Sequence, residues 1–426
     1  MRKKILFKGP LLTRSGYGEQ SRFALRALRS REDLFDIFIQ PIRWGHNSWL
    51  FEDCDERTWI DSTIEKTIGY IQQGGKFDMS FQVTIPNEWE KLAPVNIGHT
   101  AGIETSKVAP LWLQKGNENV DKIITISKHS MDTYSDTVAI AQDTQTGRKF
   151  EYKLETPIEY VNYPTKAYDK LPPLEDLAQV QTAFNFLAVA QFGPRKNLPH
   201  TVKWFLEEFK NEDVGLILKT NIAKNSVMDR ETIFNDLKTY VSAFPDRKCK
   251  VYLLHGDMSD EEMHALYKHS KIDAFLALPH GEGFGLPIWE AAYSALPVVA
   301  TGWSGHLDFL VDEEGVEHFY NVTFDLQPVQ DNVVWENVII KESMWAYPRE
   351  QSAKEKMRLC YEVLRTEHIE TRRVRLNEAK EYAKKLHERF SAEKMYEKFV
   401  DIFDSDSTIE MDQWLQELEE EIEEHE

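Results

Sequence analysis

The sequence predicts an α/β chain of two domains, each a parallel sheet wound by crossover helices. Three observations lead there. At 426 residues the chain exceeds what one ordinary core organises and suits two domains. Short apolar runs alternate with amphipathic stretches of helical length along most of it. Most of those runs lack strict polar–apolar alternation, as expected of strands covered on both faces.

Taken in order, residues 3–9, 34–40, 77–83 and 122–127 read as strands of the first domain, and the apolar run ending at His99 supplies another strand end. The polar stretch 142–152 reads as a hairpin or loop inserted there. Residues 156–179 are rich in proline and charge and carry no long helix, so the interdomain connection falls at about 165–182. Strands of the second domain follow at 184–190, 214–219, 250–255, 272–278 and 297–301. Residues 350–403 are helical in pattern. The expected boundaries are 1–170 for the first domain, 183–385 for the second, 386–403 for a closing helix and 404–426 for a tail. No internal repeat is visible. The tail keeps Met411, Trp414, Leu415, Leu418 and Ile422 at helical spacing and reads as a short docking helix or a solvated end.

Charge narrows the classes of partner. The net charge of −20 argues against a general polyanion binder. Its distribution is uneven: eleven acids and no Lys or Arg fall from Asp404 to Glu426, while residues 1–50 hold ten Lys/Arg against four acids. A locally basic N-terminal face therefore stays open, with Arg22, Arg26 and Arg29 recurring along one predicted helix either as a solvated face or as a patch for a polyanion. Three scattered cysteines, Cys54, Cys249 and Cys360, support neither a disulfide framework nor a zinc site. The apolar run after the N-terminal Met-Arg-Lys-Lys is too short for a signal or a span, so a soluble, cytoplasmic protein is expected.

The chemistry concentrates in HGEGFGLPIWEAAYSALPVVAT, residues 280–301. A strand ends before it, a glycine-rich loop follows, and Pro287 opens a helix expected to reach Leu296. Gly281, Gly283 and Gly285 let backbone approach a ligand, and the N–H groups at the helix start make a seat for an anion. Glu282 and Glu290 can accept hydrogen bonds from hydroxyls, or can serve as a helix cap and a surface residue.

The run E-G-F-G-L-P-x-x-E-A followed by A-L-P-V-V-A-T resembles the donor-site signature of family 4 glycosyltransferases. The resemblance implies retaining enzymes of the GT-B fold, two Rossmann-like domains facing across a cleft, with the last helix crossing back to the first domain. It implies that Glu282 contacts donor-sugar hydroxyls, that Glu290 holds the nucleotide ribose, and that amides around Gly283, Phe284, Gly285 and Leu286 hold sugar and diphosphate. Arg195 and Lys196 fit the family's basic segment that neutralises the leaving diphosphate, although Gln191-Phe192 replaces the family's frequent earlier Gly-Arg. Gly16 and Gly18 resemble the first-domain glycine loop, and His99 stands where many members place a histidine near the reacting carbon. Arg22, Arg26, Glu104 and Lys107 are acceptor-side candidates, and His306 is expected to be structural on the donor side.

The family calls for no metal and no cofactor beyond the nucleotide-sugar donor, so Asp53-Cys54-Asp55 and Asp404-Ser405-Asp406 are read as surface acids. The segments SGYGEQSR, WGHNSW and AGIETSKVAPLW also resemble family 4 members of T-even-like phages and their marine relatives, which glycosylate modified DNA bases. Three functions follow: transfer to a glycan or small acceptor, transfer to 5-hydroxymethylated cytosine in DNA, or a GT-B binding subunit without activity. Oligomeric state, sugar and nucleotide are not readable from the chain.

Overall fold

A computed structural model describes residues 2–404 apart from His46, 51–53 and 366–368. The tail beyond Asp404 and Asp53 of the first D-x-D triplet thus lie outside the described residues.

The first sheet contains β1 (Lys3–Gly9), β2 (Phe35–Pro41), β3 (Met79–Val83), β4 (Val95–His99) and β5 (Lys122–Thr125). A separate antiparallel hairpin of β6 (Ala139–Gln142) and β7 (Lys149–Tyr152) branches off before β8 (Ile158–Tyr160) completes the sheet. All neighbours pair in parallel, in the order β2-β1-β3-β4-β5-β8. β3 shows why the polar–apolar pattern fades. Met79, Phe81 and Val83 fill one side, yet Ser80 and Gln82 on the other are equally buried. Ser80 Oγ donates to Asn96 Oδ1 at 2.8 Å and Gln82 Nε2 to the Glu90 carbonyl at 2.7 Å, so neither is left unsatisfied.

The second sheet contains β9 (Phe184–Gln191), β10 (Val214–Asn221), β11 (Lys250–Leu254), β12 (Ala274–Ala277), β13 (Val298–Thr301) and β14 (Tyr320–Val322). It is again parallel, in the order β11-β10-β9-β12-β13-β14. The direction of winding reverses between β9 and β12, and loops leaving two such strands diverge to form a crevice. A two-stranded antiparallel ribbon of β15 (Phe324–Pro328) and β16 (Met344–Pro348) follows.

Among the helices, α1 (Gly16–Arg29) begins at Ser15, whose Oγ accepts from the Gly18 N–H at 3.0 Å. α2 (Asp55–Gln72), α3 (Pro110–Asn119) and α4 (Lys128–Asp136) complete the first domain. α5 (Leu198–Glu208), α6 (Val227–Ser242), α7 (Asp260–Tyr267), α8 (Leu286–Tyr293) and α9 (Leu307–Leu310) belong to the second. α8 stops before Leu296. Ala295 takes a left-handed φ of 64°, and the Leu296 N–H turns back to the Ala291 carbonyl at 3.0 Å, closing the helix.

The helical C-terminal stretch divides into α10 (Glu350–Arg365), α11 (Ile369–Arg389) and α12 (Ala392–Asp404). α12 leaves the second domain and lies on the first. Its Phe399 ring packs edge-on to Phe23 and Phe81, and Asp404 meets Lys3 Nζ at 2.8 Å.

Candidate functional site

Arg195 and Lys196 stand on a single 3-10 turn, residues 194–196, directly after β9. Pro194 opens that turn and Asn197, at φ 54°, ends it, so both cations are carried on constrained backbone. Glu282 lies in the loop after β12, across the point where the sheet reverses. Lys196 Nζ reaches Glu282 Oε1 at 2.5 Å and Arg195 Nη1 reaches Oε2 at 3.0 Å. Arg195 also donates to the Gly281 carbonyl at 2.8 Å and meets Glu104 of the first domain at 3.2 Å.

Glu282 is 7 % exposed. Burial by itself would raise its pKa, but Lys196 and Arg195 outweigh burial and hold it at about 2. Its own N–H donates to Ser304 Oγ at 2.8 Å, and its carbonyl accepts from the Gly305 N–H at 3.0 Å. The carboxylate therefore stays charged and fixed, holding two cations at the head of α8.

α8 starts at Gly285, whose φ of 91° lies in the region that favours glycine. The first-turn amides have no intrahelical carbonyl to bond, and Gly283, Phe284, Gly285, Leu286 and Pro287 line the cleft. The Phe284 ring faces away, packed on Tyr163 and Phe309 and 2 % exposed, and so anchors the loop.

Glu290, one turn further on, also reaches this cleft. Burial pushes its pKa up to about 7, while Lys166 and Tyr267 pull it back and Asp260 and Glu19 add to the rise. Lys166 itself bridges Glu19 at 2.6 Å and Asp260 at 2.8 Å, tying α1 to α7 through the interdomain connection.

The cleft between the domains holds about 610 Å³. It is narrow because backbone meets backbone at its floor. A Cβ on Gly281 would lie 2.1 Å from the Glu104 carbonyl oxygen, and one on Gly283 would lie 2.1 Å from that of Ala101. Ser127 Oγ donates across the domains to the Gly283 carbonyl at 2.5 Å.

The remaining sequence candidates divide. Gly16 lines the cleft, with open space where its Cβ would stand. Gly18 does not; it lets α1 press onto Thr13, whose carbonyl oxygen would lie 2.1 Å from a Cβ. His99 is fully buried on the far side of β4, its ring beside Phe81 and Phe399 and its Nδ1 on the Ile124 carbonyl at 2.8 Å. The arrival of α12 encloses that face, so His99 contacts no part of the cleft. Its pKa is lowered to about 4 by burial, which keeps it neutral. His306 is likewise buried, its Nε2 at 2.6 Å from the Thr301 carbonyl beneath the glutamate loop.

The arginine stripe of α1 is not a free cationic face. Arg22 is buried and donates to the Leu11 and Thr13 carbonyls at 2.9 and 3.0 Å. Arg26 clasps Glu56 through two bonds of 2.7 and 2.8 Å, and the Arg29 guanidinium lies 4.0 Å over the Trp59 ring. These arginines close the fold around α1 and α2, and neither Arg22 nor Arg26 lines the cleft. Lys107 is exposed outside it, whereas Glu104 is inside, paired with Arg195. Of the acids read as surface groups, Asp55 begins α2 and Asp404 meets Lys3.

Sequence reasoning missed several cleft residues, Arg14, Trp44, Tyr163 and Trp335 among them. Arg14, on the loop after β1, donates to the Met258 carbonyl of the second domain at 3.0 Å and lines the cleft. Its place two residues before Gly16 was the available signal. Trp44, first residue of the quoted segment WGHNSW, and Tyr163 arrive from loops, and Trp335 from the excursion between β15 and β16.

Residues 248–321 match the family described as glycosyl transferases, group 1. The matched segment contains β12, the Glu282 loop, α8 and β13. Over 126 residues, 29% of this chain, the sequence is 31% identical to the serotype-specific mannosyltransferase WbdA of Escherichia coli, and it spans 14% of that relative's length. Solved structures of similar fold cover nearly the whole chain. HepE of Anabaena, solved with UDP and glucose, superposes with a TM-score of 0.59 at 14% identity, over 95% of this chain and 100% of that one. A glycosyltransferase of Rickettsia africae gives 0.58 at 13% identity over 95% and 99%. The sucrose-phosphate synthase of Thermosynechococcus elongatus gives 0.56 at 14% identity over 98% and 99%. The fold is GT-B: two domains with parallel six-stranded sheets on either side of a cleft.

Among the described residues no helix is long and apolar enough to cross a membrane, and no group of three or more His, Cys, Asp or Glu is placed to hold a metal ion.

Proposed function

We propose that this chain is a retaining glycosyltransferase that moves a sugar from a nucleotide-sugar to a hydroxyl of a glycan or other small acceptor. The observation that carries this reading is the convergence of Arg195, Lys196 and Glu282 at the head of α8, at the point where the second sheet reverses. A departing nucleoside diphosphate needs positive charge and hydrogen-bond donors where its own charge grows. Arg195, Lys196 and the α8 amides supply both in a half-closed cleft, and Arg14 adds a cation from the other domain.

In the transfer, the bond from the anomeric carbon to the diphosphate breaks and its electron pair goes to the leaving oxygen. The acceptor oxygen bonds to the same face of the carbon, and its proton passes to the leaving phosphate. Glu282, held ionised, accepts hydrogen bonds from donor-sugar hydroxyls, and Glu290 bonds the ribose hydroxyls. Contact between the domains at Gly281 and Gly283 limits access of water to the reacting carbon.

Arg22, Arg26 and Arg29 are paired within the fold, so the N-terminal basic stretch lends the DNA-base alternative no support, and the net charge of −20 favours an uncharged acceptor.

The test is calorimetric binding of UDP, GDP and ADP to the full chain, followed by release of nucleoside diphosphate from the corresponding glucose and mannose donors. One nucleotide should bind, and Lys196→Ala should slow release by about 10²–10³-fold. Absence of binding by all three, or release at an undiminished rate from the variant, would refute the reading.

A further inference from the structure

Residues 329–343, between β15 and β16, leave the second domain, cross the mouth of the cleft and settle on the first. The tip is a tight turn: Trp335 and Ile339 exchange backbone bonds of 3.0 and 2.8 Å, and Asn337 takes φ 61°. Asn87 Nδ2 of the first domain donates to the Asn337 carbonyl at 3.1 Å, and Asn87 Oδ1 accepts from Trp112 Nε1 at 2.5 Å. Val338 and Ile340 pack on the cluster around Trp89, Ile103 and Trp112.

At the return, Ser106 and Met344 bond each other twice, at 3.2 and 2.9 Å. Two residues on, Ala346 is bonded by both the backbone and the Nδ1 of His280, each at 2.9 Å, which ties the excursion to the Glu282 loop. The excursion is thus anchored on both sides of the cleft, and its tip is positioned rather than loose.

This anchoring holds Trp335 60% exposed where it lines the cleft. An indole this exposed is available to a ligand in the cleft. Trp44, from the first domain, lines the same cleft, braced by the Tyr17 ring at 4.1 Å; Tyr17 is fixed in turn by Thr100 Oγ1 at 2.8 Å. Aromatic faces carry negative charge density and attract flat ligand faces whose C–H groups are slightly positive, as on a pyranose ring. An anionic ligand face is unsuited to the negative faces of the two indoles.

We infer that Trp335 and Trp44 form the acceptor subsite of the cleft and select an uncharged saccharide through its C–H faces. This rests on the glycosyl-transfer reading above and adds to it the acceptor class and the residues that choose it.

The experiment uses the full chain with saturating nucleotide and neutral trisaccharides of glucose, mannose or galactose. Saturation-transfer NMR reads saccharide contact, and calorimetry reads nucleotide binding. At least one trisaccharide should bind, with affinity falling about five- to tenfold in Trp335→Ala and Trp44→Ala. Trp335→Phe should retain it, and nucleotide affinity should stay within about twofold throughout. Because Trp335 is exposed, its replacement leaves the core intact. Undiminished saccharide binding in Trp335→Ala overturns the inference, as does failure of every trisaccharide to bind the wild type. Loss of nucleotide binding in Trp335→Ala does the same, since it shows the residue supporting the cleft rather than the acceptor. If the wild type binds saccharide through these indoles but binds no nucleotide, the subsite stands and the transfer reading falls.

Discussion

Replacing Glu290 by Gln should stabilise the protein in alkaline solution while weakening it as a nucleotide binder. The side chain sits behind the first turn of α8, where burial raises its pKa from the ordinary 4.5 to about 7 despite Lys166 and Tyr267. For a carboxyl raised in the folded state, the native protein holds the proton more tightly than the unfolded chain. Below pH 4.5 both states are protonated and no cost arises; between pH 4.5 and about 7 the unfolded chain ionises while the native state keeps its proton, so stability falls across that window and levels off above it. The gap from 4.5 to about 7 corresponds to roughly 3 kcal/mol at most. Solvent reaching a partly exposed carboxylate in the cleft reduces this to about 1–2 kcal/mol.

Glu290→Gln keeps the shape and removes the ionisation. Its melting temperature should exceed that of the wild type by roughly 2–6 °C at pH 8 and match it closely at pH 4.5. Calorimetric melts at the two pH values measure this directly, and the same samples should bind nucleotide about tenfold more weakly at pH 8 if the carboxylate holds the ribose. Equal destabilisation by the variant at both pH values would show that the charged carboxylate is held by structural hydrogen bonds, and would refute the reasoning.

Gly283→Ala sets a methyl against the Ala101 carbonyl, where the present separation would be 2.1 Å. The domains must part, so small-angle scattering should show a larger radius of gyration and donor turnover should fall more than about tenfold; a compact, fully active variant would contradict the closed floor. Arg22→Ala leaves two buried carbonyls without their donor, so it should destabilise the chain by about 2–4 kcal/mol in urea titrations. Nucleotide affinity should be unaffected in that variant, whereas an acceptor-side role would spare stability and alter acceptor use.

The second domain was legible because its information is local. Residues 280–301 place a strand end, a glycine loop and a helix start within one short stretch, and each responds to backbone rules that act over a few residues. Even there the helix end was misplaced. Ala295 takes a left-handed conformation that nothing in its composition announces.

The first domain was less legible because its candidates rested on helical spacing and on resemblance, neither of which says what a side chain faces. Arg22, Arg26 and Arg29 do recur at helical spacing, but spacing does not say which face a helix buries. The carboxylates of Glu19 and Glu56 and the ring of Trp59 absorb that stripe. His99 does end a strand, yet α12, some three hundred residues later in the chain, covers the side on which it lies.

The sequence by itself determined two wound parallel sheets, a helical C-terminus and the residue types of the candidate site, since hydrophobic period, glycine and proline act locally. Only the tertiary structure decided what faces what. It joined Lys196 to Glu282 across the reversal of a sheet, pressed Gly283 onto Ala101, and carried Trp335 across to the other domain. Those contacts link residues far apart in the chain, and their energies depend on distance and burial, which exist only once the chain has closed on itself.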